Sequence, residues 1–245
     1  MRSSNPVMSS LTENSSRQNP GYADVSTRPM TVDDVVTKTG ITLGVIIVAA
    51  AINFALGMLV SPGIAMALTL VGGIGGFITV LVASFGKKWG SAAVTLIYAV
   101  FEGLFVGGFS LMFANVNFQG EGGMAIIGQA IVGTIGVFIG MLIVYKTGAV
   151  KVTPKFTKIL FGLIAGVAVM ALVNFLGAIF FDFIFSLVCI VLGALSFLTD
   201  FDQADRMIRA GAPAKNAWGV ALGLAVTLVW LYTEILRLLS YFQRD

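Results

Sequence analysis

Seven apolar runs of about 20 residues, almost free of charge, constrain what this chain can fold into. A helix rises about 1.5 Å per residue, so a run of this length crosses the ~30 Å hydrocarbon core of a lipid bilayer. Residues 31–245 are therefore predicted to form an all-α, polytopic membrane helix bundle with seven transmembrane helices. The runs occupy 41–60, 63–84, 91–114, 123–145, 158–179, 181–200 (alternatively continuing to 208) and 216–240.

The composition excludes several classes of function. The chain is 57% hydrophobic and 11% charged, whereas soluble domains carry about 25% charged residues. It has no histidine, which excludes His-ligated metals and Ser-His-Asp triads, and its single cysteine, Cys189, excludes an internal disulfide. No Walker loop, GxSxG or HExxH motif is present. The net charge of +3 does not suggest nucleic acid. We therefore expect no enzymatic activity, no cofactor and no nucleic-acid partner.

The N-terminal segment differs from the rest of the chain. Residues 1–30 are rich in Ser, Asn and Pro, which predicts a disordered tail. Thr31 followed by Asp33 and Asp34 is typical of a helix start. Residues 32–39 are thus expected to form a short amphipathic lead-in at the membrane surface.

Basic residues predict the orientation. The N-terminal segment and the second, fourth and sixth linkers together carry 13 basic residues, while the first, third and fifth linkers carry none. This positive-inside pattern places the N-terminus in the cytoplasm and, after seven spans, the C-terminus outside. Arg237 and Arg244 do not suit that side, so the last span is expected to be irregular or not to cross fully.

Small residues recur at the four-residue spacing that lets helix backbones approach closely in lipid. We interpret these pairs as tight packing within the bundle, in preference to homodimerisation. They are Gly72/Gly76, Gly103/Gly107, Gly136/Gly140, Gly162/Gly166 and Gly219/Gly223.

Acidic residues within the apolar runs need an explanation, because an ionisable side chain at a helix centre costs at least ~2.5–3.5 kcal/mol on insertion scales. Glu102 lies midway along the third span, which contains no basic residue. We favour a cation pathway or ion site there over a carboxyl bonded to a neighbouring helix. Glu234 lies in the seventh span, where Arg237 follows at the i+3 position and makes a local ion pair an equal alternative.

A third group of acids lies where the sixth span meets the predicted cytoplasmic side. It contains Asp200, Asp202 and Asp205, and an ordinary solvated helix end is the alternative interpretation. Asp200 and Asp202 are two residues apart, so at most one of them points into the bundle. Carboxylates without basic partners suit Ca²⁺ or protons, and a facing pair could respond to pH without histidine.

Four segments resemble the Bax inhibitor-1-like family of seven-span membrane proteins, bacterial branch. Together they cover nearly the whole chain. They are the opening Met-Arg-Ser-Ser-Asn-Pro-Val, the Glu-Gly-Leu-Phe-Val-Gly of 102–107, the Phe-Asp-Gln of 201–203 and the Trp-Leu-Tyr-Thr-Glu-Ile-Leu-Arg-Leu-Leu of 230–239.

The resemblance implies a bundle with its last helix central, in a bacterial inner membrane, that acts as a pH-sensitive leak for Ca²⁺, with or without coupled protons. It also implies a paired-carboxylate sensor between the sixth and seventh helices, with Asp202 as one member and Asp200 beside it as a second gate acid. Glu102 is the expected mid-membrane cation site and a candidate Ca²⁺ ligand.

The second member of the sensor depends on the alignment. Aligning on Leu-Tyr-x-acid selects Glu234, whereas aligning on Arg-Leu-Leu selects Thr227, which an antiparallel helix pair favours. The family's second-span arginine is absent here, so Arg206 or Arg209 would hold Asp202 instead.

Two other functions remain open. A non-transporting regulator that docks on a membrane protease, or on another membrane partner, would lose its function when residues 2–30 are deleted. A leak would not. A proton-coupled transporter of a small solute would show saturable uptake, but the halves of the chain show no convincing repeat.

Overall fold

The computed structural model describes residues 28–86, 90–114, 117–118, 121–175 and 182–242. Seven of its helices are long and apolar enough to cross a membrane, which confirms the predicted all-α bundle. A pair of two-residue antiparallel strands, β1 (Asn117–Phe118) and β2 (Glu121–Gly122), joins the third and fourth helices. The helices are α1 (Val32–Leu59), α2 (Pro62–Phe85), α3 (Ala92–Ala114), α4 (Gly123–Thr147), α5 (Pro154–Phe175), α6 (Asp182–Arg209) and α7 (Ala217–Phe242).

The last helix is central, as the family resemblance implies. α7 packs against α1, α3, α4 and α6, and most of its surface is buried. Small side chains allow this, because Ala217, Ala221 and Ala225 are fully buried where neighbouring helices meet α7. In contrast, α5 packs mainly against α6 and leaves most of its apolar surface open to lipid.

The predicted glycine pairs differ in whether they allow two helices to pack closely. A Cβ added at Gly72 would lie 2.5 Å from the carbonyl oxygen of Phe101, and one at Gly103 would lie 2.5 Å from that of Ile46. Close packing by glycine therefore holds α1, α2 and α3 together, as predicted. The prediction is wrong for α4 and α5, because a Cβ at Gly136, Gly140, Gly162 or Gly166 would meet no described atom within 4 Å.

The start of α1 corrects the predicted lead-in. Val32–Leu59 is one continuous helix of 28 residues, so residues 32–39 do not form a separate element. A capping box begins the helix: Asp34 N donates to Thr31 Oγ1 (3.2 Å), and Thr31 N donates to Asp34 Oδ2 (3.0 Å). The side chains of Asp34 and Lys38 are almost completely buried.

Residues 28–31, which we name the N-terminal strap, are packed against the loop between α6 and α7. Met30 N donates to Ala212 O (2.7 Å), and Ala214 N donates to Arg28 O (2.8 Å). The Met30 side chain is only 2% exposed and belongs to a buried cluster with residues of α6 and α7. Residues 28–30 are therefore part of the folded body, while the rest of the predicted tail lies outside the described residues.

Ion pairs hold the N-terminal strap against α1. Arg28 donates to both carboxylate oxygens of Asp34, at 2.6 and 2.7 Å. Hydrogen bonding to Asp34 raises the pKa of the Arg28 guanidinium, so this group stays charged at neutral pH. Lys38 Nζ donates to Ala214 O and lies 3.6 Å from Asp34 Oδ1. We call the end of the bundle that carries the strap and the α6–α7 loop the basic end.

The observed bounds of α6 and α7 decide two of the predictions about the last spans. α7 is a regular helix from Ala217 to Phe242, so the prediction of an irregular last span is wrong. Arg237 causes no break, because its side chain is 36% exposed and its guanidinium pairs with Glu234 on the same helix. α6 continues to Arg209, which agrees with the longer of the two predicted sixth spans. The predicted break at 179–181 lies outside the described residues.

Candidate functional site

The interface between α6 and α7 buries one acid of the predicted gate. Thr227 Oγ1 donates to Asp200 Oδ2 (2.8 Å), and the same hydroxyl lies 3.3 Å from Gly223 O. Asp200 also lines a cavity of about 220 Å³ in the half of the bundle nearer the basic end. The other lining residues are Gln203 and Met207 from α6, and Asn216, Gly219, Val220 and Gly223 from the α7 side.

The neighbouring acids of α6 pair with arginines along the same helix. Arg206 Nε lies 2.6 Å from Asp202 Oδ2, and Arg209 Nε lies 2.8 Å from Asp205 Oδ2. Both arginine side chains are more than half exposed. Of the two acids spaced two residues apart, it is Asp200 that the structure directs at α7, while Asp202 pairs with Arg206. The roles of Asp202 in sensing and of the arginines in holding it stay predictions.

Glu234 lies elsewhere on α7. It is seven residues beyond Thr227, about 10 Å further along the helix, so it does not face Asp200. Its Oε1 is 3.4 Å from Arg237 Nη1, and the residue is 6% exposed. Ser186 of α6 is its buried neighbour, and the Ser186 hydroxyl contacts the Glu234 carboxyl. The geometry of this contact falls short of a full hydrogen bond for both the hydroxyl and Glu234 Oε2.

This geometry matches the second of the two alignments in one respect. Thr227, and not Glu234, is the α7 side chain opposite a gate acid, although that acid is Asp200 and not Asp202. Within the described residues, the contact between α6 and α7 at this level therefore joins a carboxyl to a hydroxyl, where the resemblance implies two carboxyls.

Glu102 occupies the middle of α3, as its position in the sequence indicated. It makes no ion pair or hydrogen bond with the described residues, and it faces a crevice between α2 and α7. Gly76 of α2 allows this position, because a Cβ there would lie 2.6 Å from Glu102 Oε2. Sequence reasoning did not connect Glu102 with Tyr98, although the i−4 spacing places both on one helix face.

Glu102, Asp200 and Glu234 lie apart from one another, which limits how they could bind a metal ion. Within the described residues there is no group of three or more His, Cys, Asp or Glu side chains placed to hold one. Ca²⁺ takes six to eight oxygen ligands. Each carboxylate could therefore contact only an ion that keeps most of its water.

Comparison with known proteins agrees with the resemblance. The sequence model of the family described as Bax inhibitor 1 like matches residues 5–244, nearly the whole chain. Among curated proteins, no match to this chain is found. The match confirms the family that the four quoted segments indicated.

Proposed function

Because the chain belongs to the Bax inhibitor 1 like family, we propose that it is a pH-sensitive leak that lets Ca²⁺ cross a bacterial inner membrane. The N-terminus lies in the cytoplasm, since the basic residues cluster at that end of the bundle. The protein moves an ion down its gradient and performs no catalysis. Support for this proposal comes from the family resemblance and from Glu102, Asp200 and Glu234. Acids within membrane spans are costly, so their presence indicates a function.

The observation that carries the proposal is the hydrogen bond between Asp200 and Thr227 beside a cavity. It joins the two helices that would have to separate to open a path at the cytoplasmic side. Since Asp200 is the α6 acid that faces α7, we assign it the gate role, with Asp202 as the neighbouring acid.

The expected direction of the pH response follows from the chemistry of this bond. A hydroxyl bonds more strongly to an ionised carboxylate than to a neutral carboxyl group. Protonation of Asp200 therefore weakens the contact between α6 and α7. The leak is expected to increase as the pH falls.

Glu102 has the mid-membrane role in this proposal. It is the acid nearest the centre of the bilayer, and no described cation neutralises it. Glu102→Gln keeps the shape of the side chain and removes the charge, so the flux of Ca²⁺ should fall while the protein stays folded.

The test is ⁴⁵Ca²⁺ flux into liposomes that contain the purified protein, measured from pH 6 to pH 8. Asp200→Asn should raise the flux and remove most of its pH dependence, because the amide cannot ionise. Asp202→Asn is the matched control, since it is the same change two residues away in a pair with Arg206. A pH response that follows Asp202 would move the gate to that residue. Folded protein without flux would exclude the leak.

One observation favours the docking regulator as a second candidate. The glycine pairs on α4 and α5 meet no other helix among the described residues, so these helices present smooth faces to the membrane. Residues 28–30 are packed, so the decisive deletion removes residues 2–27 and keeps the strap. Loss of function with an unchanged melting temperature would favour a partner that binds the tail. Unchanged flux would favour the leak.

A further inference from the structure

A crevice of about 360 Å³ opens on the side of the bundle. α2 and α7 each pack against α3 but hardly against each other, so a gap remains between them over α3. Phe77 at the edge of this gap is 65% exposed. An exposed aromatic ring in the middle of an apolar helix faces lipid, so the crevice is accessible from the acyl chains of the bilayer.

The crevice contains a carboxylate deep in the membrane. Glu102 is about 15 Å from the start of α3 and about 18 Å from its end, and the glycine at position 76 leaves room for its Oε2. It has neither an ion pair nor a hydrogen bond with any described residue. An unpaired acid at this depth is expensive, and a cation from outside the chain would relieve that cost.

The other walls of the crevice are mainly aromatic and apolar. The rings of Phe77, Tyr98, Phe105 and Trp230 line it. Aromatic faces attract cations, and most strongly those cations that give up their water easily. One carboxylate surrounded by rings is a suitable environment for an organic cation with an apolar body.

We propose that this crevice binds a lipophilic, monovalent organic cation, such as an alkylated ammonium or pyridinium ion, which enters from the lipid and takes Glu102 as its counter-ion. The site does not depend on the leak. If the leak also exists, the bound cation occupies the same carboxylate and blocks Ca²⁺ there.

Other occupants fit the crevice less well. Ca²⁺ needs six to eight oxygen ligands, whereas the crevice offers one carboxylate, and the nearby Thr233 hydroxyl already donates to Trp230 O (2.8 Å). A lipid acyl chain would fill the space but leave the charge of Glu102 unpaired. A crevice of this volume suits a small ligand better than the side of a partner helix.

Tryptophan fluorescence can test the site, because pyridinium ions quench an indole ring that they contact. Trp89→Phe with Trp218→Phe leaves Trp230 in the crevice as the only indole. N-hexylpyridinium should quench this protein saturably, and Glu102→Gln should weaken the affinity about tenfold or more. The matched control keeps only Trp218, which lies beside Lys38 at the basic end. Its quenching should rise linearly, as expected for partition into lipid.

Hexylbenzene has nearly the same shape as N-hexylpyridinium but no charge, so it separates charge recognition from apolar filling. It should compete poorly, and Gly76→Ala should also weaken binding because the methyl group displaces the carboxylate. The proposal is wrong if Glu102→Gln binds normally, or if both single-tryptophan proteins respond alike. If Glu102→Gln does not fold, the competition experiment is read on the protein that keeps Glu102. Equal competition by hexylbenzene would then show that the crevice does not select a cation.

Two further outcomes are distinguishable. Protection of Trp230 by a leucine-rich membrane peptide with a central lysine, without binding of N-hexylpyridinium, would reassign the crevice to a partner helix and overturn the small ligand. Because quenching is read without ion movement, failure of the Ca²⁺ flux assay would leave a positive binding result intact.

Discussion

At the basic end, Asp34 is bound by Arg28 and approached by Lys38, and its oxygens also cap α1. In the bundle interior, no cation of the described residues pairs with Glu102, and one oxygen of Glu234 is buried without a full hydrogen bond within the same part of the chain. The two regions contain the same chemical group. In one it joins the strap, α1 and the α6–α7 loop, and in the other it is left without full compensation.

This difference separates two reasons for keeping an acid. A buried carboxylate with matched donors contributes to stability, and removing it leaves those donors unpaired. A buried carboxylate without donors costs stability, so its presence points to a role in binding or transport. Neutralising the first kind should therefore damage the fold, and neutralising the second should not.

The largest effect is expected at the basic end. Asp34→Ala removes the cap of α1 and both hydrogen bonds from Arg28, and it leaves Lys38 with less compensation. We expect a loss of about 2–3 kcal/mol in the free energy of unfolding. Thermal unfolding in detergent, followed by circular dichroism, would measure it.

Asp33→Ala is the control for this substitution. Asp33 lies in the same first turn, but its side chain is exposed. It should contribute only through the helix dipole, about 0.5 kcal/mol. Equal effects of the two substitutions would mean that charge near the helix end, and not the contacts of Asp34, stabilises the strap.

An effect of opposite sign is expected in the interior. Glu234→Gln keeps the volume and removes a buried charge that Arg237, 3.4 Å away, and the Ser186 hydroxyl compensate only in part. The melting temperature should rise, corresponding to a gain of about 1 kcal/mol. Ser186→Ala should change it little, because the contact of its hydroxyl with Glu234 falls short of a full hydrogen bond. Clear destabilisation by Glu234→Gln would show that the ion pair with Arg237 stabilises the fold.

Much of the architecture could be predicted because hydropathy is a local property. The positions of the seven spans follow from the lengths of the apolar runs. The basic linkers are found by counting the Lys and Arg residues between the runs. The identity of the central helix required the family resemblance. Long-range contacts could not be predicted: the composition of residues 28–30 resembles that of the tail, yet Met30 finds a buried position beside residue 212, which is distant in the sequence.

The candidate site shows the same limit. A two-residue spacing means that only one of Asp200 and Asp202 enters the bundle, but the choice depends on how α6 is rotated against α7. The glycine pairs are equally ambiguous. The spacing at Gly103 and the spacing at Gly136 are identical. They differ because a helix backbone lies against Gly103, whereas no described atom lies within 4 Å of a Cβ at Gly136.

The smallest effect is expected for the exposed pair on α6, and it tests whether the two regions differ in function as well as in stability. Arg206→Gln removes the partner of Asp202 at a position where the arginine side chain is 62% exposed. Exposed ion pairs contribute about 0.5 kcal/mol or less, so the melting temperature should hardly move. Flux should also be unchanged if Asp200 is the gate. If Arg206 instead holds Asp202 as the sensor, the same substitution shifts the pH dependence of Ca²⁺ flux without changing stability. A shift of that kind would place Asp202 among the functional acids despite its partly buried pairing with the exposed Arg206.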